Sequence, residues 1–170
     1  MVDESNWSEG KIQQTAITYI RNKYPELYGV IWHIPNGGFR DDLTASVMTG
    51  QGVTPGIPDL NFLWNGNLYL IEVKTEKGEV STAQKVVHAQ HDKQGFKTYI
   101  FKTSEQIIYF VEWVIAYKSL EGFKRFISPY SNGEKLDIFR EELRLERIKK
   151  VEQKNKRRAK NNPFIVRGKT

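Results

Sequence analysis

Two carboxylates and a lysine stand where a β-hairpin would bring them together. The dipeptide Asn65-Gly66 predicts a two-residue type I′ turn between two strands. In the register of such a turn Asp59 faces Glu72, and strand alternation places Lys74 on the same face as Glu72. Opposed carboxylates repel each other unless a cation lies between them. The spacing therefore predicts a cation site beside a lysine.

The oxygen atoms of this group are ligands that suit Mg²⁺ or Mn²⁺. Two carboxylates and a backbone carbonyl, here that of Val73, would leave coordination positions open for water and for a phosphate. Lys74 would position the attacking water or help to deprotonate it, while the metal stabilises the leaving oxygen. The chemistry expected is hydrolysis of a phosphodiester. The alternative is an ordinary surface strand in which Lys74 neutralises Glu72, and the presence of Asp59 weakens it.

Short motifs surround this hairpin in a consistent order between residues 8 and 117. They are HIPNGG at 33–38, GQG at 50–52, PGIPDL at 55–60, EVKTEKG at 72–78 and STAQK at 81–85. Together they resemble the VRR-NUC domain, the virus-type replication-repair nuclease of the PD-(D/E)xK superfamily. The resemblance implies an α/β fold with a restriction-endonuclease-like core, in which helices flank a mixed central β-sheet. It also implies a metal-dependent DNA endonuclease, and some members of the family cut branched DNA, including four-way junctions, as homodimers.

The resemblance also assigns roles to individual residues, and two of these have a structural alternative. A carboxylate at Glu9 would favour the dipole of a helix that begins there. Gln84 would complete a capping box with Ser81, and both roles do not readily fit one side chain. Carried over by position, metal ligation falls to Asp59, Glu72, Glu9 and the carbonyl of Val73, and catalysis to Asp59, Glu72, Glu9, Lys74 and Gln84.

The predicted contacts to nucleic acid lie in one loop and in the C-terminal tail. In the loop, backbone N–H groups after His33 would bind phosphate, and Asn36 and Arg40 would contact the substrate. His33 has the alternative of an ordinary polar strand residue. His88 and His91 lie on the helix that follows the hairpin. Their spacing does not suit Mg²⁺, and it predicts solvated surface positions.

Positive charge is concentrated in the tail. Residues 144–170 hold 11 Lys and Arg against two Asp and Glu, net +9, whereas residues 1–143 hold 15 against 18, net −3. Such a tail is typical of proteins that bind a polyanion, although a solvated charge run is the alternative. We expect residues 134–160 to form a long helix that packs on the body, on a second subunit or on nucleic acid. The DNA contacts predicted there are Lys154, Lys156, Arg157 and Arg158.

The other elements alternate between helix and strand, which is typical of an α/β or α+β protein. Helices are predicted over 8–21, 42–48, 81–94 and 104–117, and strands over 30–34 and 97–102. Pro, Asn and Gly at 128–133 predict a turn or a spacer. We therefore expect a nuclease domain at residues 1–127 and a basic helical extension at 128–170.

Composition narrows the classes of protein. Cysteine is absent, which excludes disulfides and thiolate metal sites, and the three histidines do not form a zinc motif. No apolar run reaches the about 18 residues of a membrane span, so we expect a soluble protein without a membrane partner. It would act in the cytoplasm of a bacterial or phage-infected cell, or elsewhere inside a cell. Two other functions remain open: a DNA-binding or scaffolding module of the same fold without catalysis, and an RNA-directed nuclease.

Overall fold

A computed structural model describes residues 3–35 and 47–161 of the chain. The helices and strands follow the predicted order with boundaries shifted by a few residues. Residues 47–50 are also helical, and the preceding part of the helix predicted at 42–48 lies outside the described residues. The helices are α1 (Glu9–Lys23), α2 (Thr82–Lys93), α3 (Ser104–Ile115) and α4 (Leu136–Asn161), and the strands are β1 (Ile31–His33), β2 (Leu60–Trp64), β3 (Asn67–Val73) and β4 (Thr98–Phe101).

The four strands form one mixed sheet in the order β1-β2-β3-β4. β1, β2 and β3 pair antiparallel, and β4 pairs parallel to β3 after the crossover through α2. The hairpin has the predicted register, since Trp64 pairs with Asn67. Asn65 and Gly66 have φ values of 47° and 76°, as a type I′ turn requires. The predicted fold class, a mixed sheet flanked by helices with a basic helical extension, is confirmed.

One face of the sheet carries the main hydrophobic core. Strand alternation directs Ile71 and Val73 of β3 to this face, where both are fully buried. They belong to one cluster with side chains of α1 and α3, among them Ile20 and Phe110. Glu72 lies between these two strand residues and therefore points to the opposite face, where α2 packs. The burial pattern thus separates an apolar side from the side that carries the candidate site.

The C-terminal extension begins as a packed part of the body. Leu136 and Phe139 of α4 form a second buried cluster with Ala89 of α2. The segment 128–133, predicted as a turn or a spacer, contains a turn at residues 129–130 and is held against the sheet, because the backbone N–H of Ser128 donates to the Thr98 carbonyl at 2.8 Å. Along α4 the described side chains from position 147 onward are exposed.

The exposed part of α4 includes two apolar residues, Ile148 and Val151. Ile148 and Val151 are 43% and 58% exposed, so they do not pack on this chain. Within the described ranges no helix combines the length and the apolar character that a membrane span requires.

Candidate active site

The candidate site lies where the end of β3 meets the first turns of α1 and α2. Lys74 directly follows β3, and its backbone N–H continues the sheet by donating to the Phe101 carbonyl at 2.9 Å. The side chain of Lys74 shares a face with Glu72, and its Nζ lies 2.8 Å from Glu72 Oε1 and 3.6 Å from Glu9 Oε1. Lys74 is only 7% exposed, so these carboxylates surround a nearly buried ammonium.

Glu72 is fully buried, which is costly for a charged side chain unless it is paired and hydrogen-bonded. Its Oε1 accepts hydrogen bonds from the ammonium of Lys74 and from Nε2 of Gln84. Its Oε2 is buried and has no hydrogen-bond partner among the described residues. One oxygen of the carboxylate is therefore satisfied twice while the other is left for a further partner.

Asp59 stands beside Glu72 at the start of β2. Its Oδ2 accepts a hydrogen bond from the backbone N–H of Val73 at 2.9 Å. Burial and the negative charge of Glu72 together raise the pKa of Asp59 to about 6, although the Val73 bond and the charge of Lys74 act in the opposite direction. Burial is the larger cause of the raised pKa, and the charge of Glu72, which the hairpin register places nearby, adds to it.

The backbone of Asp59 is fixed from two sides. Its carbonyl accepts the Ile34 N–H at 3.0 Å and lies 2.9 Å from Nδ1 of His33. The preceding loop approaches α2 so closely that a Cβ on Gly56, which has a φ of +91°, would lie 2.6 Å from the Ala83 carbonyl group. A glycine is required there, because the close approach sets the position of Asp59 relative to the first turn of α2.

Glu9 is the first residue of α1, after the N-cap Ser8. Its side chain is 43% exposed and its Oε1 faces Lys74. The turn that follows Lys74 packs against it, since a Cβ on Gly78 would lie 3.1 Å from Glu9 Oε1. The start of α1 therefore brings the carboxylate of Glu9 to the site, where it faces Lys74.

Gln84 makes the capping contacts with Ser81 and also contacts Glu72. Its Oε1 accepts the Ser81 backbone N–H at 2.8 Å and its own N–H donates to Ser81 Oγ at 3.3 Å, which completes a capping box. Its Nε2 remains free to donate to Glu72. One side chain makes both sets of contacts because the amide carries an acceptor and a donor on different atoms.

The lysine of the site is held in its charged form. Burial alone would lower the pKa of Lys74, but the hydrogen bond that its ammonium donates to Glu72 and the charges of Glu72, Glu9 and Asp59 outweigh burial and raise it. A lysine with a raised pKa stays protonated near neutral pH and has no lone pair with which to accept a proton. In this arrangement Lys74 is suited to orient a water molecule or to stabilise developing negative charge, and not to remove a proton.

His88 is a member of the site that the sequence did not reveal. It was predicted as a solvated residue, yet it is fully buried, with Nε2 3.8 Å from Glu72 Oε2 and Nδ1 2.8 Å from Ser128 Oγ. His91 was also predicted as solvated and is half-buried, and burial together with the nearby His88 lowers its pKa. Both predictions failed because segment 128–133 and α4 cover this face of α2. The spacing of four residues between Gln84 and His88 could have indicated this position, since residues four apart share a helix face.

The predicted contacts to nucleic acid are only partly brought near the site. His33 is exposed and bonds to the Asp59 backbone, whereas Asn36 and Arg40 lie outside the described residues. The four basic residues of α4 are exposed near its end. Glu142 of α4 contacts Lys85 of α2 and Glu146 contacts Thr82, so these residues begin about 12 Å beyond the second contact along the helix axis. They are Lys154, Lys156, Arg157 and Arg158.

The donor set fits a hard divalent cation. No group of three or more His, Asp or Glu side chains converges on one point within the described part of the chain. Mg²⁺ does not need such a group, because it usually binds one or two carboxylates and completes its shell with water and phosphate. Burial and the charge of Glu72 raise the pKa of Asp59, and a divalent cation beside the two carboxylates would favour its ionised form.

Asp59→Asn should raise the melting temperature of the metal-free protein above pH 6. Ionisation of the Asp59 carboxylate is less favourable in the folded state than in the unfolded state by at most about 3 kcal/mol. The carboxylate with its raised pKa costs nothing below its unfolded value, so the gain should vanish near pH 4 and grow to roughly 5 °C by pH 8. Thermal melts in EDTA across this range measure the effect.

Asp92→Asn is the matched control for that series. The hydrogen bonds of Asp92 to Lys97 and to the Gly133 N–H outweigh its burial and lower its pKa, so the same change there should destabilise the protein at pH 8. A stabilisation by Asp59→Asn that does not vary with pH would contradict the raised pKa of Asp59.

The fold resembles that of a solved structure. A protein described as a VRR_NUC domain protein superposes with a TM-score of 0.54 at 20% sequence identity, over 67% of this chain and 93% of that one. The fold is that of a VRR_NUC domain. No protein-family model matches the chain, and no curated protein matches it. The resemblance that the motifs predicted is thus confirmed for the VRR_NUC fold, and the roles of individual residues rest on the geometry of this chain.

Proposed function

We propose that the protein is a Mg²⁺- or Mn²⁺-dependent endonuclease that hydrolyses DNA phosphodiester bonds, selective for branched DNA such as four-way junctions. The observation that carries the proposal is the ion pair of the buried Glu72 with Lys74 beside Asp59, on one face at the end of the hairpin. A purely structural ion pair has no need of a second, destabilised carboxylate. The VRR_NUC fold supports the same reaction class.

Each residue of the site has a part in this reaction. Asp59, Glu72 and the carbonyl of Val73 would hold the metal, which supplies Lewis-acid activation of the phosphate and of water when bound. Lys74, charged and nearly buried, orients the attacking water and stabilises charge on the phosphate. Gln84 holds Oε1 of Glu72 in place. Glu9 faces Lys74 from the more exposed side and would contact the water shell.

A panel of labelled substrates tests the proposal. Four-way junction, flap, single-stranded and linear duplex DNA, with a matching RNA duplex, are incubated with the protein in Mg²⁺, in Mn²⁺ and in EDTA. We expect cleavage only with metal, fastest on the branched DNA. Binding of every substrate without cleavage would favour the scaffolding alternative, and faster cleavage of RNA would favour the RNA-directed one.

The basic end of α4 is proposed to contact the DNA backbone. Replacing Lys154, Lys156, Arg157 and Arg158 by Gln should reduce the slope of log affinity against log salt by about 3.6, at about 0.9 per phosphate contact. Because backbone contacts carry no base information, the loss should be equal for unrelated sequences of the same DNA shape. Fluorescence anisotropy between 50 and 300 mM salt measures it (roughly the range over which counterion release dominates). An unchanged slope would make α4 a structural element.

A homodimer is proposed because one site per chain can make the two symmetric cuts of a four-way junction only through a two-fold pair. Light scattering at working concentration should give about twice the chain mass of 19.8 kDa. A monomer mass together with efficient paired cleavage of a junction would contradict this arrangement.

A further inference from the structure

The side of Glu72 away from Lys74 is closed by a histidine and a serine that the reaction scheme does not use. His88 is fully buried and Ser128 is 2% exposed, so neither has access to substrate. Nδ1 of His88 lies 2.8 Å from Ser128 Oγ, and Nε2 of His88 lies 3.8 Å from Glu72 Oε2. Both Nε2 and Oε2 are buried without a hydrogen-bond partner in the described structure. Two orphaned polar atoms thus face each other across a short gap.

The hydrogen bonds of Ser128 decide which nitrogen of His88 carries a proton. Ser128 Oγ already accepts the backbone N–H of Tyr130 at 3.2 Å, and its own O–H is then available to donate to Nδ1. With the Ser128 hydroxyl donating to Nδ1, the ring carries a proton on Nε2 that is directed at the Glu72 carboxylate. The other tautomer would place a lone pair of Nε2 against a carboxylate oxygen in a buried site, which leaves two acceptors unsatisfied.

We propose that His88 is a positioning residue for Glu72 and that Ser128 sets its tautomer. The Nε2–H of His88 is directed at Oε2 of Glu72, while Lys74 and Gln84 donate to Oε1 of the same carboxylate. The present separation is about 0.9 Å longer than a typical N–H···O bond, so a small rotation of the carboxylate closes it. Carboxylates that bind metals are commonly oriented by such outer hydrogen bonds.

This role gives the region after α3 a direct link to the site. Ser128 is placed by its backbone bond to the Thr98 carbonyl of β4, beside the bridge between Tyr99 and Ile127. The segment thus fastens the serine to the sheet edge that neighbours Glu72 on β3. The part of the chain that resembles no known motif of the family consequently helps to orient a central carboxylate.

The test compares two serines of the same segment. Ser128→Ala removes the partner of His88, whereas Ser131→Ala removes a similarly buried hydroxyl that instead accepts the Thr98 N–H at 3.1 Å. ¹⁵N-detected imidazole spectra of the metal-free protein should show His88 as the Nε2–H tautomer in the wild type and in Ser131→Ala. A mixture of tautomers is expected in Ser128→Ala. Spectra of Ser128→Ala identical to those of the wild type would overturn the assignment.

A second measurement concerns the metal and rests on the proposed function. In calorimetric titrations with Mn²⁺, Ser128→Ala should bind about 10-fold more weakly than the wild type, and Ser131→Ala should bind as the wild type does. Equal affinity of Ser128→Ala and the wild type would overturn the positioning of Glu72. If the wild type binds no Mn²⁺ at all, the proposed function fails while the tautomer spectra still decide the link between Ser128 and His88.

Discussion

Asp59→Asn and Glu72→Gln are each expected to abolish DNA cleavage, with a loss of at least about 10³-fold, while DNA binding persists. Both changes keep the shape of the side chain and remove the negative charge that a divalent cation requires. Asn at position 59 can still accept the Val73 N–H, so the hairpin should stay in register. Single-turnover cleavage of a labelled four-way junction measures the rate, and anisotropy measures binding.

The matched control for these variants is a lysine–glutamate pair of the same length elsewhere in the protein. Lys23 Nζ lies 2.8 Å from Glu112 Oε1, the same distance as in the Lys74–Glu72 pair, but on α1 and α3 away from the hairpin. Glu112→Gln should therefore leave the cleavage rate unchanged. Wild-type activity in Asp59→Asn or in Glu72→Gln would remove the two carboxylates from the mechanism.

Lys74→Ala is expected to lower the rate constant for cleavage by about 10²-fold and to change DNA affinity by less than about twofold. The difference arises because Lys74 is almost buried and already compensated by Glu72 and Glu9, so it contributes little to attraction of the DNA backbone. Its effect is confined to the attacking water and the charge that develops on the phosphate. Dependence of the single-turnover rate on protein concentration separates the two quantities.

Removal of Lys74 also leaves Glu72 without its cation, which should lower stability by roughly 3–5 kcal/mol. The assay therefore runs well below the melting temperature, and Lys74→Arg, which keeps the charge, reports on folding. Lys23→Ala, at the control pair, should leave both rate and affinity intact. Equal losses of affinity and rate in Lys74→Ala would identify Lys74 as a simple phosphate contact.

The hairpin shows which features could be predicted from sequence. Asn65-Gly66 determines a turn whose geometry is nearly independent of the rest of the molecule, so the pairing of β2 with β3 and the shared face of Glu72 and Lys74 followed from local rules. The capping box at Gln84 is local in the same sense.

His88 shows what local rules could not provide. Its burial depends on Ser128 and on the start of α4, which reach α2 only through contacts between residues far apart in sequence. Pro, Asn and Gly at 128–133 predict a turn or a spacer, because these residues are typical of turns. The composition does not predict whether such a turn packs against a sheet. The second hydroxyl of the segment, Ser131, is buried for the same reason.

The central claim is that Asp59 and Glu72 serve a divalent cation in phosphodiester hydrolysis. It is tested most directly by stripping the wild-type protein of metal and measuring the single-turnover cleavage rate of a four-way junction as Mn²⁺ is added back from zero. We expect no cleavage in EDTA and a saturable rise in the cleavage rate with Mn²⁺. A cleavage rate in EDTA equal to that with metal would contradict it.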